Sequence, residues 1–129
     1  MRRLVIRTEA APAPFQGAPY NQAIAANGFV WVAGQLGIDP AAGAIVEGGI
    51  GPQTEQIFKN LRAILEEAGT SLDLVVKTTV FLTNLDDFQA MNEVYAREIG
   101  DSPPARSTVE VGRLPSGALV EIEAVALSY

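Results

Sequence analysis

The chain is predicted to form one α+β domain, spanning residues 1–129, in which two helices lie on one face of a mixed β-sheet. Two observations support this class. Apolar residues recur at helical spacing in two segments, and alternating or β-branched runs fill other segments. The elements follow in the order β, ββ, α, β, α, ββ, which lacks the regular βαβ repeat of a doubly wound sheet.

The N-terminal part is predicted to contain a strand, an ordered loop and a hairpin. The strand covers residues 4–7, and the proline-rich residues 10–19 form the loop. Asn27 and Gly28 then separate two further strands, and both residues tolerate the positive φ that a type I′ turn requires. The strands of this hairpin cover residues 21–26 and 29–33.

The first helix is predicted after a loop rich in glycine and proline over residues 39–51. Gly51 and Pro52 supply an N-cap and a proline at the first helical position, and the helix ends near Ala68. Gly69 follows as a left-handed stop. One apolar stripe at spacings of three and four residues comprises Ile57, Leu61, Ile64, Leu65 and Ala68.

A β-branched run over residues 74–83 predicts a central strand, and residues 84–87 supply turn and capping groups. A second helix follows and ends at Gly100. Glu93 and Arg97 stand four residues apart on its flank, a spacing that favours an ion pair. Its apolar residues, expected in the core, are Phe88, Met91, Tyr95 and Ile99.

The last two strands are predicted over residues 106–113 and 119–127, joined as a hairpin around residues 115–118. We expect the apolar alternate residues of both strands to face the helices, and Arg106, Thr108, Glu110, Glu121 and Glu123 to share the opposite face. In this register Arg106 and Glu121 lie about 16 Å apart. If they act on one small substrate, they are expected to come from different subunits.

Composition excludes several classes of site. The chain has no cysteine and no histidine, so disulfides, thiolate nucleophiles, histidine triads and the usual zinc, iron and copper ligand sets are unavailable. Nine basic against 15 acidic residues give a net charge of −6, which disfavours nucleic acid as a partner. No apolar run is long enough to span a membrane, and a cytoplasmic location is expected.

Arg106 and Glu121 are the candidate chemical groups. A guanidinium matches a carboxylate in two hydrogen bonds, and a glutamate can accept a proton from water, so the pair suits hydrolysis of a small acid. Each residue also has an ordinary structural interpretation. Arg106 could be a surface arginine, Glu121 part of a polar strand face, and Tyr20 a half-buried aromatic whose hydroxyl bonds to the backbone.

Several segments together resemble one family over nearly the whole chain. These segments are Gly17-Ala18-Pro19-Tyr20, Ala33-Gly34-Gln35, residues 76–82 (VKTTVFL), residues 87–95 (DFQAMNEVY), residues 104–111 (PARSTVEV) and residues 121–126 (EIEAVA). In order, spacing and residue type they are similar to the RidA family, also called YjgF/YER057c/UK114.

The resemblance implies a chorismate-mutase-like α+β fold of the bacillary type. It also implies a homotrimer whose sheets form a central β-barrel, with ligand pockets between subunits. RidA-type members hydrolyse reactive enamine and imine acids, such as 2-aminoacrylate and its tautomer 2-iminopropanoate, to 2-oxo acids and ammonia. No cofactor and no metal are expected.

The resemblance further implies roles for individual residues. Arg106 would bind the substrate carboxylate, and Glu121 would orient and deprotonate the attacking water. Other residues implied in substrate binding are Tyr20, Ala33, Gly34 through its backbone N–H, Asn92 and Thr108. Ala33 replaces a serine of the archetypal enzyme, a loss of about one hydrogen bond or ~1 kcal/mol. Thr108 replaces a cysteine that many members have.

Other functions are compatible with the sequence. The substrate could be another unsaturated amino acid, such as 2-aminomuconate or an aminoacrylate from pyrimidine breakdown. The trimer could instead bind 2-oxo acids without turnover, as a chaperone-like protein. An endoribonuclease or translation inhibitor, also described in this family, is disfavoured by the net charge of −6 and the absence of histidine.

Overall fold

The structure is a computed structural model that describes residues 2–128. It contains two α-helices, a six-stranded sheet and a separate two-stranded ribbon. In chain order the elements are β1 (Arg3–Ile6), β2 (Ala23–Ala26), β3 (Phe29–Leu36), β4 (Ile38–Asp39), β5 (Ala44–Ile45), α1 (Ile50–Glu67), β6 (Val75–Leu82), α2 (Phe88–Ile99), β7 (Ala105–Glu110) and β8 (Val120–Leu127).

The main sheet has the strand order β1-β2-β3-β8-β6-β7. All neighbouring pairs are antiparallel except β6 and β7, which are parallel and joined by α2. Both helices contribute to the single core that covers one face of the sheet. The predicted class, a mixed sheet with two helices on one face, is therefore confirmed. We call the other face of the sheet the open face.

The first hairpin turn, the end of α1 and the apolar stripe of α1 agree with the predictions. Asn27 and Gly28 have φ values of 54° and 86°, and they connect Ala26 to its cross-strand partner Phe29. This is the tight hairpin expected from an Asn-Gly pair. Gly69 ends α1 with a φ of 79°, as expected for a left-handed stop. The stripe of α1 is buried, with Ile57, Leu61, Ile64 and Leu65 all fully inaccessible.

The start of α1 differs from the prediction. Its N-cap is Gly49, whose φ is 86°, and the helix begins at Ile50 rather than after Gly51. Pro52 consequently occupies the third helical position. Proline is tolerated there because the N–H groups of the first turn have no partner within the helix. The segment predicted as loop also contains the β4–β5 ribbon.

The predicted hairpin between the last two strands is wrong. β7 pairs with β6 in parallel, with Arg106 opposite Thr78, and β8 pairs with β6 on its other side, with Glu121 opposite Phe81. β6 therefore separates two strands that are consecutive in the chain. The reason is that α2 returns the chain beside β6, and residues 111–119 then cross the end of β6 to reach β8.

The predicted facing of β7 is also wrong. Arg106 and Thr108 lie opposite the buried Thr78 and Val80, so they face the helices, whereas Val109 lies on the open face and is 43% exposed. β7 is an edge strand, and its helix side is covered incompletely enough to accept polar side chains. For β8 the prediction holds, because Val120, Ile122, Ala124 and Ala126 are buried on the helix side.

Two details of α2 differ from the prediction. Phe88 is 37% exposed at the start of the helix rather than in the core, although Met91, Tyr95 and Ile99 are buried. Arg97 pairs with Glu55 of α1 at 3.2 Å instead of with its own neighbour on α2. Within residues 2–128, no helix combines the length and the apolarity needed to cross a bilayer.

Asn60, on α1, joins the helix to the end of β3. It is completely buried, and its Nδ2 donates to the carbonyl oxygens of Leu36 and Ile38 at 3.2 and 3.0 Å. Its Oδ1 accepts from Gln56 at 2.9 Å. Since these carbonyls have little access to water, the amide satisfies groups that would otherwise be buried without partners.

We predict that Asn60→Leu lowers the free energy of unfolding by about 2–3 kcal/mol, because it leaves buried acceptors unsatisfied. Urea denaturation at a fixed protomer concentration measures the change. The matched control is Lys59→Leu, an exposed position of the same helix, with an expected change within about 0.5 kcal/mol. Equal effects of the two variants would contradict the role given to Asn60.

Candidate functional site

A cleft of about 360 Å³ lies where the loop after β1 meets the ends of β3 and β8. It contains four of the residues predicted for the site: Tyr20, Ala33, Gly34 and Glu121. The other residues that line it are Pro12, Ala13, Phe15, Ala18, Gln22, Gln35, Leu36, Ile38 and Pro115. Most of this wall is apolar, and Glu121 is its only ionisable group apart from the Tyr20 phenol.

A β-bulge in β3 brings the strand backbone against the Glu121 carboxylate. The register between β3 and β8 shifts between Val32 and Gln35, so Gly34 has no directly paired partner. A Cβ built on Gly34 would lie 2.6 Å from Glu121 Oε2 and 2.8 Å from its Cδ. The carboxylate therefore occupies the space that only a glycine leaves free at this point of the bulge.

The environment of Glu121 favours its protonated form. Burial in the cleft, and to a smaller extent the negative charge of Glu123, raise the pKa of the Glu121 carboxyl above its usual value. Glu123 is two residues away on the same strand face, so the two carboxylates repel each other. A carboxylate with a raised pKa is a stronger base than an exposed glutamate.

The Tyr20 hydroxyl participates in the structure of the cleft wall. It accepts a hydrogen bond of 2.6 Å from the backbone N–H of Phe15. Because the oxygen is engaged as an acceptor, the hydroxyl proton remains available for donation. The structural interpretation, a hydroxyl bonded to the backbone, is thus confirmed, and it is compatible with contact to a ligand.

Arg106 lies on the other side of the sheet, against α2. Its Cζ is 4.7 Å from the ring centroid of Tyr95 and 5.5 Å from that of Phe88. The Tyr95 hydroxyl is 2.6 Å from Thr78 Oγ1, and Thr78 is the cross-strand partner of Arg106. Within residues 2–128 the guanidinium has no hydrogen bond or ion pair. It is a cation supported by rings with its N–H donors unused.

Asn92 and Thr108 lie on the same two elements as Arg106 and its aromatic neighbours, α2 and β7. Thr108 follows it by two residues on the same face of β7, and Asn92 lies one turn after Phe88 on α2. The Oδ1 atom of Asn92 is buried and has no hydrogen-bond partner. A buried acceptor without a donor is uncommon in native proteins, and it is consistent with a group that a ligand completes.

The predicted residues therefore form two groups rather than one. Arg106 and Glu121 are on opposite faces of the sheet, because Thr78, opposite Arg106, faces the core and Phe81, opposite Glu121, faces away. Along β6 they are separated by three residues, about 10 Å, and by two strand spacings of roughly 4.8 Å. One chain does not bring them onto a single small molecule.

Four contributing residues were not assigned to the site from the sequence. Phe88 and Tyr95 were assigned to the core, although an aromatic pair seven residues apart after a strand could have suggested a shelf for Arg106. Glu123 is predicted on the polar face of the sheet, without a role in the site. Gln22 was not singled out, because no sequence pattern distinguishes a glutamine that bonds to a loop. Among residues 2–128, no cluster of acidic side chains has the arrangement of a metal site.

Comparison with known proteins identifies the family. The profile described as Endoribonuclease L-PSP matches residues 8–128. A RutC family protein of Pyrococcus abyssi is 54% identical over 98% of both chains. The 2-iminobutanoate/2-iminopropanoate deaminase of Mus musculus is 43% identical over 97% of this chain and 91% of its own. The chain belongs to the RidA family. The crystal structure of RidA from an Antarctic Psychrobacter species agrees, with a TM-score of 0.91 at 43% identity, covering 96% of this chain and 98% of that one.

We predict that Gly34→Ala displaces the Glu121 carboxylate from the bulge, because the new Cβ would contact it at 2.6 Å. The carboxylate then moves toward solvent, and the pKa of Glu121 falls. Carbon-detected NMR titration of the glutamate carboxyls measures this pKa. Gly112→Ala is the matched control, because a Cβ at Gly112 meets nothing within 4 Å. An unchanged pKa in Gly34→Ala would contradict the packing described.

Proposed function

We propose that the protein hydrolyses reactive enamine and imine acids, 2-aminoacrylate/2-iminopropanoate and related compounds, to 2-oxo acids and ammonia. General deaminase activity is supported by the family, since relatives at 41–43% identity are named 2-iminobutanoate/2-iminopropanoate deaminase. The observation that carries the proposal for this chain is the combination of a guanidinium without a polar partner in residues 2–128 and a half-buried carboxylate of raised pKa.

Arg106 is the proposed carboxylate-binding group. Its N–H donors have no partner within residues 2–128, and its Cζ lies 4.7 and 5.5 Å from the ring centroids of Tyr95 and Phe88, so the donors are left for a ligand. Two parallel hydrogen bonds to a carboxylate orient the bound acid as well as bind it. Asn92, with its unpaired Oδ1, and Thr108 are proposed to contact the same ligand.

Glu121 is the proposed general base. In 2-iminopropanoate the imine carbon is electrophilic once the nitrogen is protonated, and 2-aminoacrylate reaches this form by tautomerisation. Glu121 accepts a proton from water while the water oxygen bonds to the imine carbon, and the C=N electron pair moves to nitrogen. Glu121 then returns this proton to the carbinolamine nitrogen, and the C–N bond breaks with its electron pair going to nitrogen, so neutral ammonia leaves. The hydroxyl proton passes to the Glu121 carboxylate, and from there to water, as the carbonyl forms.

The cleft wall favours a monocarboxylic substrate with an apolar side chain. None of the residues that line the cleft is a lysine or arginine, and the one carboxylate present, Glu121, would repel a second negative charge. A dianion such as 2-aminomuconate therefore has no counter-charge in this cleft. Ala33, in place of a serine, adds a methyl group to the apolar surface. RNA cleavage is opposed by the net charge of −6.

We propose that the complete site forms between subunits of a homotrimer. The two groups of residues face opposite sides of one sheet, so a second chain must present its Glu121 group to the Arg106 group of the first. The open face also exposes Trp31, at 51%, and Val109, at 43%, which is the composition of a subunit interface rather than of a solvated sheet. Tyr20 and Gly34 would belong to the Glu121 side of each site.

The proposal predicts how activity depends on pH. Glu121 must be ionised to act as a base, so kcat/KM falls as the pH falls through its pKa, and the raised pKa places this fall above the range of an exposed glutamate. Glu123→Gln removes a neighbouring negative charge, so the acidic limb should move to lower pH. Stopped-flow assays over a range of pH values measure the acidic limb of the kcat/KM profile.

Glu67→Gln is the control for the pH experiment, because Glu67 is exposed at the end of α1, away from the cleft. It should leave the acidic limb in place. If Glu123→Gln and Glu67→Gln have the same limb as the unmodified protein, Glu121 is not the group that controls the reaction. If kcat/KM falls only as the pH rises, and not as the pH falls, the role of Glu121 as a general base is also contradicted.

The inter-subunit site predicts complementation between two inactive variants. Arg106→Ala lacks the carboxylate clamp and Glu121→Gln lacks the base, so each homotrimer should be inactive. In co-expressed mixed trimers, one of the three interfaces combines an intact Arg106 with an intact Glu121. With random assembly of equal amounts, about a quarter of wild-type activity should return.

Differently tagged chains allow the mixed trimers to be purified, and light scattering gives the subunit number. Double-variant chains carrying both substitutions, mixed with unmodified chains, provide the reference for assembly. No recovery of activity in mixed trimers that assemble normally would overturn the inter-subunit site. Full activity in the Arg106→Ala homotrimer would overturn the role of the guanidinium.

A further inference from the structure

Gln22 has an unusual set of hydrogen bonds. It is 4% exposed, and its Oε1 accepts from Thr8 N at 2.7 Å. Its Nε2 lies 3.0 Å from the Thr8 carbonyl, 3.2 Å from that of Ala11 and 2.8 Å from that of Pro12. One buried side chain thus binds the backbone of three residues of the loop after β1: Thr8, Ala11 and Pro12.

Within residues 2–128, the loop segment 8–13 has one hydrogen bond that does not involve Gln22, from Ala10 N to the Thr8 hydroxyl at 3.2 Å, and it lies within the loop itself. In the described chain, residues 8–13 make no backbone–backbone hydrogen bond, and Pro12 has no N–H to donate. Ala11 is buried in the core at 3% exposure, but it is a small side chain. Buried carbonyl groups require donors, and Gln22 supplies them here. The position of the loop therefore depends mainly on this one amide.

The same residue contacts the opposite side of the cleft. The backbone carbonyl of Gln22 accepts a hydrogen bond of 2.9 Å from Ala33 N, which lies in the β-bulge beside Gly34. The loop contributes Pro12, Ala13 and Phe15 to one wall of the cleft, and the bulge contributes the other. Gln22 connects both walls through its side chain and its main chain.

We propose that Gln22 is a positioning residue that sets the separation of these two walls and thereby the size of substrate side chain the cleft accepts, an inference that rests on the proposed function. Gln22 itself does no chemistry. A wall that contacts the substrate side chain equally before and during reaction affects KM rather than kcat. Loss of the wall should therefore weaken the binding of long apolar side chains most.

The test is Gln22→Leu, which keeps the size of the side chain but removes all of its hydrogen bonds. Substrates are 2-iminopropanoate and 2-imino-4-methylpentanoate, each generated in the assay by an amino acid oxidase. We expect KM for the larger imine to rise about tenfold relative to the smaller one, as for lost contacts in an apolar pocket. The kcat values should change less than about threefold. Amide hydrogen exchange over residues 8–15 should become faster.

Thr70→Val is the matched control. Thr70 is 7% exposed, and its hydroxyl donates to the Leu127 carbonyl at 2.6 Å, outside the cleft. The substitution removes a buried side-chain hydrogen bond and keeps the shape, so it measures general loss of stability. It should leave the ratio of the two KM values unchanged.

An unchanged KM ratio in Gln22→Leu, with faster exchange of the loop, would overturn the inference and leave Gln22 a purely structural residue. If Gln22→Leu does not fold, Gln22→Asn replaces it, because the shorter amide cannot reach all of the same carbonyls. If the wild type turns over no imine acid, the proposed function fails separately. Calorimetric affinities for 2-oxopropanoate and 4-methyl-2-oxopentanoate then decide on Gln22 by the same ratio.

Discussion

The pairing of β8 with both β3 and β6 is the constraint on which the rest of the structure depends. It places alternate residues of β8 in the core, so the residues between them, Glu121 among them, must face away from the helices. The same pairing displaces β7 to the sheet edge, where Arg106 lies under α2 rather than beside Glu121. A shift of β8 by one residue would expose its core set, so Glu121 cannot face the helices without loss of that burial. The separation of the two charged groups is therefore a property of the fold itself.

The neighbours of Arg106 and of Glu121 alter the binding and acid–base properties of these two side chains. Aromatic faces beside Arg106 restrict the guanidinium without using its donors, so less conformational freedom is lost when an anion binds. Burial and a like charge raise the pKa of Glu121. The glycine of the bulge leaves the space in which that carboxylate lies. Arg106 is arranged to bind an anion, and Glu121 is arranged to accept a proton. The two functions are complementary, although one chain places the groups on opposite faces of its sheet.

The parts of the fold that could be predicted from the sequence depend on neighbours in the chain. The Asn27-Gly28 turn, the α1 stripe and the stop at Gly69 follow from backbone preferences and periodicity, and all three are confirmed. The β7–β8 hairpin was wrong because strand pairing is decided by distant segments, and a turn between two strands does not exclude a third strand inserted between them. Candidate residues could be named from motifs, but their division into two groups required the sheet order. The environment of Gln22 depends on a loop without regular structure, which no periodicity describes.

β8 follows all the other strands of the main sheet in the chain, yet it lies at the centre of that sheet. Until Val120–Leu127 is available, β3 and β6 have no partner between them, and the apolar side of α1 has no continuous sheet on which to pack. Long-range pairings of this kind slow folding and leave apolar surface exposed in the meantime. During synthesis, the sheet can therefore be completed only after residues 120–127 have left the ribosome. Truncation before residue 120 removes the middle of the sheet rather than its edge.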